Sequence, residues 1–202
     1  MQTPNKHQQR TEHTRRKLLD AGLRVFVRDG FEAARIEDIA AAAGHTRGAF
    51  YANFETKEDL FLVLLEQQAD RRLTELRDAL KNCKDQEHAL HLLRAFYVKR
   101  ANNPEWAMLM LEFKLFAMRH SKLRAKLAAA HRRIHASMKF EALSELLPPH
   151  LCEINTRKVA KVMLEVALTG LTLENAYDPK RISRSEVKVL LGRIFDLVMN
   201  ET

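Results

Sequence analysis

An all-α fold with about nine helices is predicted for this chain. Apolar residues recur at helical spacing in successive segments, and no segment shows the sustained alternation of a β-strand. Glycine, proline and capping residues separate these segments where helices would end or begin. We expect a three-helix N-terminal domain with a helix-turn-helix, joined by a long helix to a helical-bundle domain.

The predicted helix-turn-helix occupies about residues 36–54. Its first helix has one apolar face, formed by Ile36, Ile39, Ala40 and Ala43. Gly44 follows the last of these residues, where a left-handed backbone favours a residue without a Cβ. Thr46 is a natural N-cap for a second short helix. The second helix of such a motif can enter a DNA major groove, so residues 46–53 are expected to read DNA.

The other helices are predicted from caps and breaks. Thr14 should cap a first helix, after a mobile polar tail at residues 1–10. Thr56 and Asp59 resemble a capping box that starts a long helix ending near Asn82. The remaining predicted helices are 87–101, 105–119, 121–147, 155–177 and 183–200. The expected domains are residues 1–56 for DNA binding, and residues 57–202 for effector binding and dimerisation.

Composition is that of a soluble globular protein. The 202 residues carry a net charge of +8, with 46% hydrophobic and 30% charged residues. Residues 1–56 contain nine Lys/Arg against seven Asp/Glu, so total charge does not locate a DNA-binding face. The longest apolar runs are six residues, too short to span a membrane. With only Cys83 and Cys152, distant in sequence, a cytoplasmic protein with reduced thiols is expected.

Residues 14–61 resemble the N-terminal domain of TetR/AcrR-family transcriptional regulators. The matching positions are Thr14-Arg15, Phe26, Gly30-Phe31, Asp38-Ile39-Ala40, Ala43-Gly44, Arg47-Gly48, Phe50-Tyr51, Phe54 and Lys57-Glu58. The resemblance implies a divergent C-terminal domain that binds a small effector and pairs through its last two helices. Two positions depart from the family pattern. Arg35 stands where a capping Thr is common, and His45 stands where Val is usual.

Ten residues are candidate DNA contacts. They are Arg15, Arg35, His45, Thr46, Arg47, Gly48, Ala49, Tyr51, Asn53 and Lys57. Arg47, at the start of the second helix, has a guanidinium that fits guanine O6 and N7 bidentately. The resemblance implies phosphate contacts for Tyr51 and Lys57, and a partly buried aromatic is the alternative for Tyr51. Arg15 belongs to a basic N-terminal segment that could lie on phosphates.

A homodimer is expected, because one small module makes few contacts and specific binding needs two copies on a palindromic operator. The last two helices have apolar surfaces too wide to be buried on one side. The expected interface is Val162, Val166, Gly170, Leu173, Val187, Leu190, Leu191, Ile194 and Val198. A larger monomer core is the alternative.

An effector pocket is expected where aromatic residues and methionines cluster at helical spacing, since such side chains line apolar cavities. The candidates are Phe96, Tyr97, Trp106, Met110, Phe113, Phe116, Met138 and Met163. The effector would be apolar or aromatic, and plain core packing is the alternative for each residue. Glu112 and Glu165 lie in apolar surroundings, where solvent exposure is favoured over contact with a cationic ligand.

The leading functional hypothesis is a ligand-released repressor. Activation, corepression and an architectural DNA-binding role without effector remain alternatives. No nucleophile–His–carboxylate set, glycine-rich phosphate loop or complete metal set is present in the sequence, so neither an enzyme nor a cofactor is expected. The basic segment 119–139 could meet an anionic effector, although a solvated helix face is favoured. His131 and His135 have ligand spacing without further ligands nearby.

Overall fold

A computed structural model describes residues 6–81, 83–137, 148 and 153–200, and every regular element within these ranges is helical. The helices are α1 Lys6–Asp29, α2 Ile36–Ala42, α3 Arg47–Tyr51, α4 Lys57–Leu80, α5 Gln86–Lys99, α6 Pro104–Arg119, α7 Ser121–Ser137, α8 Ile154–Tyr177 and α9 Arg184–Asn200. A 3₁₀ turn, Arg100–Asn102, follows α5. The predicted all-α class is confirmed. In the described ranges, no helix is both long and apolar enough to cross a bilayer.

The first helix begins earlier than predicted. It starts at Lys6 rather than after Thr14, so residues 6–10 are helical and not a tail. Pro4 is the last helix breaker before this point, and the following Gln, Arg and Lys residues are adequate helix formers. The predicted extension of α7 to residue 147 lies outside the described residues beyond Ser137.

Local capping signals are confirmed in the helix-turn-helix. Gly44 has φ +71°, His45 N–H donates to Ala40 C=O at 2.9 Å, and Gly44 N–H donates to Ala41 C=O at 3.0 Å. These two bonds are those of a Schellman motif. Thr46 Oγ1 then accepts from Ala49 N–H at 3.3 Å, which caps α3. The turn therefore ends α2 and starts α3 within four residues.

The chain divides into two compact units. The first takes its described residues from Met1–Asp70 and Leu109–Ser137, and the second from Arg71–Met108 and Met138–Thr202. Helices α4 and α6 each contribute to both units. This division differs from the expected boundary at 56/57, because the first turns of α4 pack on α1. A Cβ at Gly22 of α1 would lie 2.6 Å from Leu60 Cδ2.

Five phenylalanines form the centre of the first unit. The Phe31 ring centroid lies 5.1–5.3 Å from those of Phe26, Phe61, Phe113 and Phe116. Three of these four pairs with Phe31 meet edge to face, a favourable geometry for aromatic rings. This core joins α1, α4 and α6 around the connection between α1 and α2.

The second unit has a separate core. Helix α9 packs against both α5 and α8. Its buried residues include Val187, Leu191 and Val198, which are at most 4% exposed. Tyr97 of α5 is 5% exposed, and its hydroxyl donates to Leu164 C=O of α8 at 2.8 Å. Burial raises the pKa of Tyr97 to about 12.

Candidate nucleic-acid interface

Helix α3 presents Arg47 and Tyr51 to solvent. Arg47 Nη2 donates to Tyr51 Oη at 3.1 Å, and Arg47 Nη1 lies 2.8 Å from Glu37 Oε1 of α2. The hydrogen bond to Tyr51 and the charge of Glu37 raise the pKa of Arg47. Tyr51 is 46% exposed, so it is not the buried aromatic of the alternative interpretation. The two partners orient the guanidinium on the exposed side of the motif.

Glu37 is a residue that the sequence interpretation missed. It lies ten positions before Arg47, in the first turn of α2, and its carboxylate faces α3 only because the turn at Gly44 brings the helices together. Acidic residues in a first helical turn are common for reasons of helix polarity alone. No local signal therefore distinguished Glu37 from a residue that favours the helix N-terminus.

Arg15 and Asn53 are partly engaged in packing. Arg15 Nη1 donates to Asn53 C=O at 3.0 Å, and the guanidinium carbon lies 4.4 Å from the Phe54 ring centroid. Asn53 Nδ2 donates to Ala49 C=O at 2.8 Å. These contacts tie α1 to the C-terminal end of α3. Arg15 is half-buried and braces α3.

Lys57 occupies a structural position that differs from the expected phosphate contact. Its Nζ lies 2.9 Å from Phe31 C=O, 2.7 Å from Glu32 C=O and 3.0 Å from Ala34 C=O. An ammonium group has three N–H donors, and these three carbonyls use all of them. Burial lowers the pKa of Lys57, against the opposite effect of nearby acidic residues. In this structure Lys57 holds the α1–α2 connection, and its contact with a DNA phosphate stays a prediction.

Glu112 completes that connection from the other side. Phe31 N–H donates to Glu112 Oε2 at 2.7 Å, so both polar backbone groups of Phe31 are bound by side chains. The expectation that Glu112 faces only solvent is wrong. Its contact with α1–α2 arises across 81 residues of sequence, which no local pattern specifies.

The other candidate DNA contacts line the same motif. Arg35, Thr46 and Gly48 are exposed, whereas His45 and Ala49 are half-buried. Arg35 is the N-terminal flanking residue of α2 and makes no capping bond with its side chain, as expected for a guanidinium. The Nε2 atom of His45 is buried and has no hydrogen-bond partner among the described residues.

The basic segment after residue 118 partly faces acidic residues of its own unit. Arg119 Nη1 lies 3.4 Å from Glu32 Oε2, and Lys126 Nζ lies 3.3 Å from Asp59 Oδ1. All four side chains are partly or largely exposed, so these pairs contribute little to stability. They agree with the favoured interpretation of a solvated helix face.

The candidate pocket residues are divided between the two units. Phe113 and Phe116 belong to the aromatic core of the first unit, where they contact Phe31. Met163 is 47% exposed on α8. Met110 is half-buried in the first unit, Phe96 and Trp106 are half-buried in the second, and Tyr97 is buried there. Met138 lies outside the described residues.

A cavity of 590 Å³ in the second unit is lined by other residues. Leu171 and Glu174 of α8 line it together with Val189, Leu190 and Arg193 of α9. Of the predicted residues, only Leu190 lines it, and that residue was expected at the dimer interface. Aromatic periodicity did not locate this cavity, because the same spacing also serves core packing.

An exposed apolar face runs along α8 and α9. On α8 it comprises Val159, Val162, Met163 and Val166, and on α9 it comprises Val189, Leu190 and Leu197. Gly170 is exposed, and Leu173 and Ile194 are half-buried. Three expected interface residues are corrected: Val187, Leu191 and Val198 are buried within the unit's own core. Apolar spacing identified both helices but not which side of α9 faces outward.

The two tightly joined helices, with an exposed and oriented arginine on the second, form a helix-turn-helix of the kind that DNA-binding proteins use. Residues 18–64 match the family described as "Bacterial regulatory proteins, tetR family". Residues 18–64 are therefore a DNA-binding domain of the TetR family of transcriptional regulators.

Known proteins extend the likeness beyond this domain. The chain is 32% identical to the uncharacterized HTH-type transcriptional regulator YwcC of Bacillus subtilis over 50% of its length, but spans only about half (49%) of that relative. It is 27% identical to the HTH-type transcriptional regulator AcrR of Shigella flexneri over 92% of this chain and 91% of that protein. The crystal structure of FadR from Bacillus subtilis in complex with stearoyl-CoA has the same fold, with TM-score 0.67, 18% identity, and coverage of 92% and 97%.

Proposed function

We propose that this protein binds a palindromic operator as a homodimer and represses transcription until a small-molecule effector releases it. The observation that carries the proposal is that Arg47 and Tyr51 lie together on the exposed face of α3. Glu37 of α2, which the turn at Gly44 brings close to α3, orients the Arg47 guanidinium. A guanidinium at the start of a reading helix can bind guanine O6 and N7 bidentately. Tyr51 and Arg35 would contact phosphates on either side and so position α3.

The exposed apolar face of α8 and α9 supports dimerisation. Val162 and Val166 are 52% and 66% exposed, and Gly170 has open space where a Cβ would stand. An exposed face of this composition is typical of a protein interface. A symmetric pair formed there would present two α3 helices to a two-fold operator. The interface we propose is therefore the predicted set without the three core residues, which leaves six of its nine positions.

Effector control is supported by the family and by the ligand in the FadR structure, although 18% identity carries only the fold to this chain. A ligand can shift the protein away from DNA only if it binds the DNA-incompetent form more tightly. The same linkage permits a corepressor or activator if the preference is reversed. An architectural DNA-binding protein would show no effector dependence at all.

The test is a selection of genomic fragments from the source organism on the full-length protein. Wild type should enrich a palindromic sequence, and Arg47→Ala should enrich none, because the base-reading side chain is lost. Arg77→Ala, which removes an exposed arginine in the last turn of α4, is the matched control and should enrich the same sequence as wild type. An equal, sequence-independent recovery by wild type would overturn the operator proposal.

Sedimentation tests the dimer separately. Wild type should sediment as a dimer at micromolar concentration, and Val166→Glu as a monomer with weakened operator binding. Met118→Glu places the same charge at another exposed apolar position, 58% exposed on α6, and should stay dimeric. A monomeric wild type, or a dimeric Val166→Glu, would contradict the proposed interface.

A further inference from the structure

Three basic side chains gather around one carboxylate in the second unit. Arg72 comes from α4, Arg100 from the 3₁₀ turn, and Lys161 and Glu165 from successive turns of α8. The 3₁₀ turn packs directly on α8. Against the larger effect of burial, the charge of Glu165 raises the pKa of all three cations. Glu165 is half-buried, so it does not simply face solvent as the sequence suggested.

Among the described residues, the three cations have two acidic neighbours, Glu165 and Glu75. Glu75 also acts on Arg72, but Arg72 and Arg100 oppose each other, as do Arg100 and Lys161. Burial is the largest effect on each of the three, and it lowers the pKa of Arg72 to about 10. Even this pKa leaves Arg72 cationic at neutral pH. Partly desolvated cations that oppose one another favour an added anion at the same place.

One donor in the cluster is buried without a partner. Arg100 Nε has no hydrogen bond among the described residues. Unsatisfied buried donors are rare in folded proteins because each costs the free energy of its lost hydration. A guanidinium is well matched to a planar carboxylate or to a phosphate, which accept two parallel N–H bonds.

An aromatic surface adjoins these charges. The guanidinium carbon of Arg72 lies 6.0 Å from the ring centroid of Trp106, and Trp106 is half-buried. Tyr97 lies near Arg100, and its hydroxyl already donates a hydrogen bond to Leu164 C=O. Charged and aromatic groups side by side suit an amphiphilic small molecule with an anionic end.

We propose that Arg72, Arg100 and Lys161 bind the carboxylate or phosphate group of a small molecule whose apolar part contacts Trp106. Assigning this molecule the role of effector rests on the proposed regulatory function, but the binding site itself does not. The expected apolar or aromatic effector thereby gains an anionic group. Glu165 holds the cations together and competes with the ligand for them.

The single tryptophan of the chain makes the site directly observable. Trp106 emission of the full-length protein is titrated with decanoate, decyl phosphate and decanol, each below its micelle concentration. The three probes share one apolar chain and differ in the end group. Either anion should bind at least tenfold more tightly than decanol, and the tighter of the two distinguishes a carboxylate from a phosphate site. Anions that bind no more tightly than decanol, or not at all, would overturn the proposal.

Two variants of opposite sign separate ligand binding from a structural role. Arg100→Gln should weaken binding of the preferred anion at least tenfold and leave decanol unchanged. Glu165→Gln should strengthen anion binding at least threefold, because a competing carboxylate is removed. Arg71→Gln, an exposed neighbour of Arg72, is the matched control and should change neither. A purely structural ion cluster would instead make both Arg100→Gln and Glu165→Gln less stable, with unchanged preference among the probes.

A second measurement uses no alkyl ligand and does not rely on the stability of Arg100→Gln or Glu165→Gln. Iodide quenches tryptophan and is attracted by nearby cations, whereas acrylamide is neutral. The ratio of iodide to acrylamide quenching should fall at least twofold in Lys161→Gln and remain unchanged in the control Lys158→Gln, an exposed lysine on the same helix. An unchanged ratio in Lys161→Gln would contradict the cluster's positive charge at Trp106.

Operator binding is then measured with and without the preferred anion. Anion binding without any effect on DNA affinity would keep the site and overturn its role as the effector site. If the anion lowers DNA affinity in wild type but not in Arg100→Gln, both the anion site and its role as the effector site are supported. A protein that binds the anion but no operator would contradict the regulatory proposal alone.

Discussion

The molecule carries two sets of basic side chains that differ in solvation. In the helix-turn-helix, Arg47 and Arg35 are exposed, and Arg47 is paired with an equally exposed Glu37. In the second unit, Arg72 and Arg100 are partly buried, and burial lowers the pKa of both. The residue type is the same in both places, and solvation makes them suited to different anions.

Exposed cations retain their hydration and can exchange counterions for the phosphates of a long polyanion, with an affinity that falls as salt increases. Buried cations are screened less by salt and require a counter-charge at one fixed place, which a single small anion can supply. Lys57 belongs to a third case. It is partly buried, but three backbone carbonyls satisfy it, so it stabilises the fold without requiring a ligand.

The largest expected effect concerns the exposed set. Arg47→Ala should reduce the preference for operator over unrelated DNA by at least roughly 10- to 100-fold, because each subunit of the proposed dimer loses a bidentate base contact of about 1–3 kcal/mol. Thermal stability should remain near that of wild type, because the side chain is exposed. Fluorescence anisotropy with operator and scrambled duplexes measures the preference, and an unchanged ratio would remove Arg47 from base reading.

Lys57→Met tests whether a partly buried cation can be structural. Loss of three charge-assisted hydrogen bonds should lower the free energy of unfolding by about 2 kcal/mol, a value moderated by partial exposure. Urea denaturation measures this, with the exposed Lys17→Met as the control. The alternative result is unchanged stability together with a slope of log K against log salt concentration that is smaller by about one. In that case Lys57 contacts a DNA phosphate and belongs with the exposed set.

Tyr97→Phe tests desolvation in the second unit through pH. The pKa of Tyr97 is raised from 10.0 to about 12 in the folded protein, so between these values the unfolded state loses a proton that the folded state keeps. Stability contributed by Tyr97 is therefore full below pH 10 and declines above it. The stability advantage of wild type over Tyr97→Phe should fall by about 1 kcal/mol between pH 10 and 11. Urea denaturation at both pH values gives this difference, and a constant difference would contradict the raised pKa.

The smallest expected effect is that of Glu37→Gln. Removing the carboxylate beside Arg47 should raise DNA affinity by less than about threefold, since an exposed ion pair is weak and one repulsive charge leaves the interface. Glu105→Gln, exposed in the second unit, should leave DNA affinity unchanged. Weaker binding in Glu37→Gln would show that orientation of Arg47 matters more than the removed charge.

Much of the helix-turn-helix could be predicted because its signals act over a few residues. Gly44 ends α2 through backbone bonds within the last turn, and Thr46 caps α3 through a bond three residues away. Long-range partners were not predictable in this way. Lys57 meets carbonyls 23 to 26 residues earlier, and Glu112 meets an N–H 81 residues earlier.

Sequence by itself determined the all-α class, the turn that Gly44 and Thr46 set between α2 and α3, and the family of the N-terminal domain. These follow from periodicity and from backbone geometry over short distances. Only the tertiary structure decided how individual side chains are used. It placed Phe113 and Phe116 in a core rather than a pocket, turned Lys57 and Glu112 toward the α1–α2 connection, and gathered three distant cations around Glu165. The physical reason is that burial and charge pairing depend on which helices meet, and helical spacing within one segment carries no information about its neighbours.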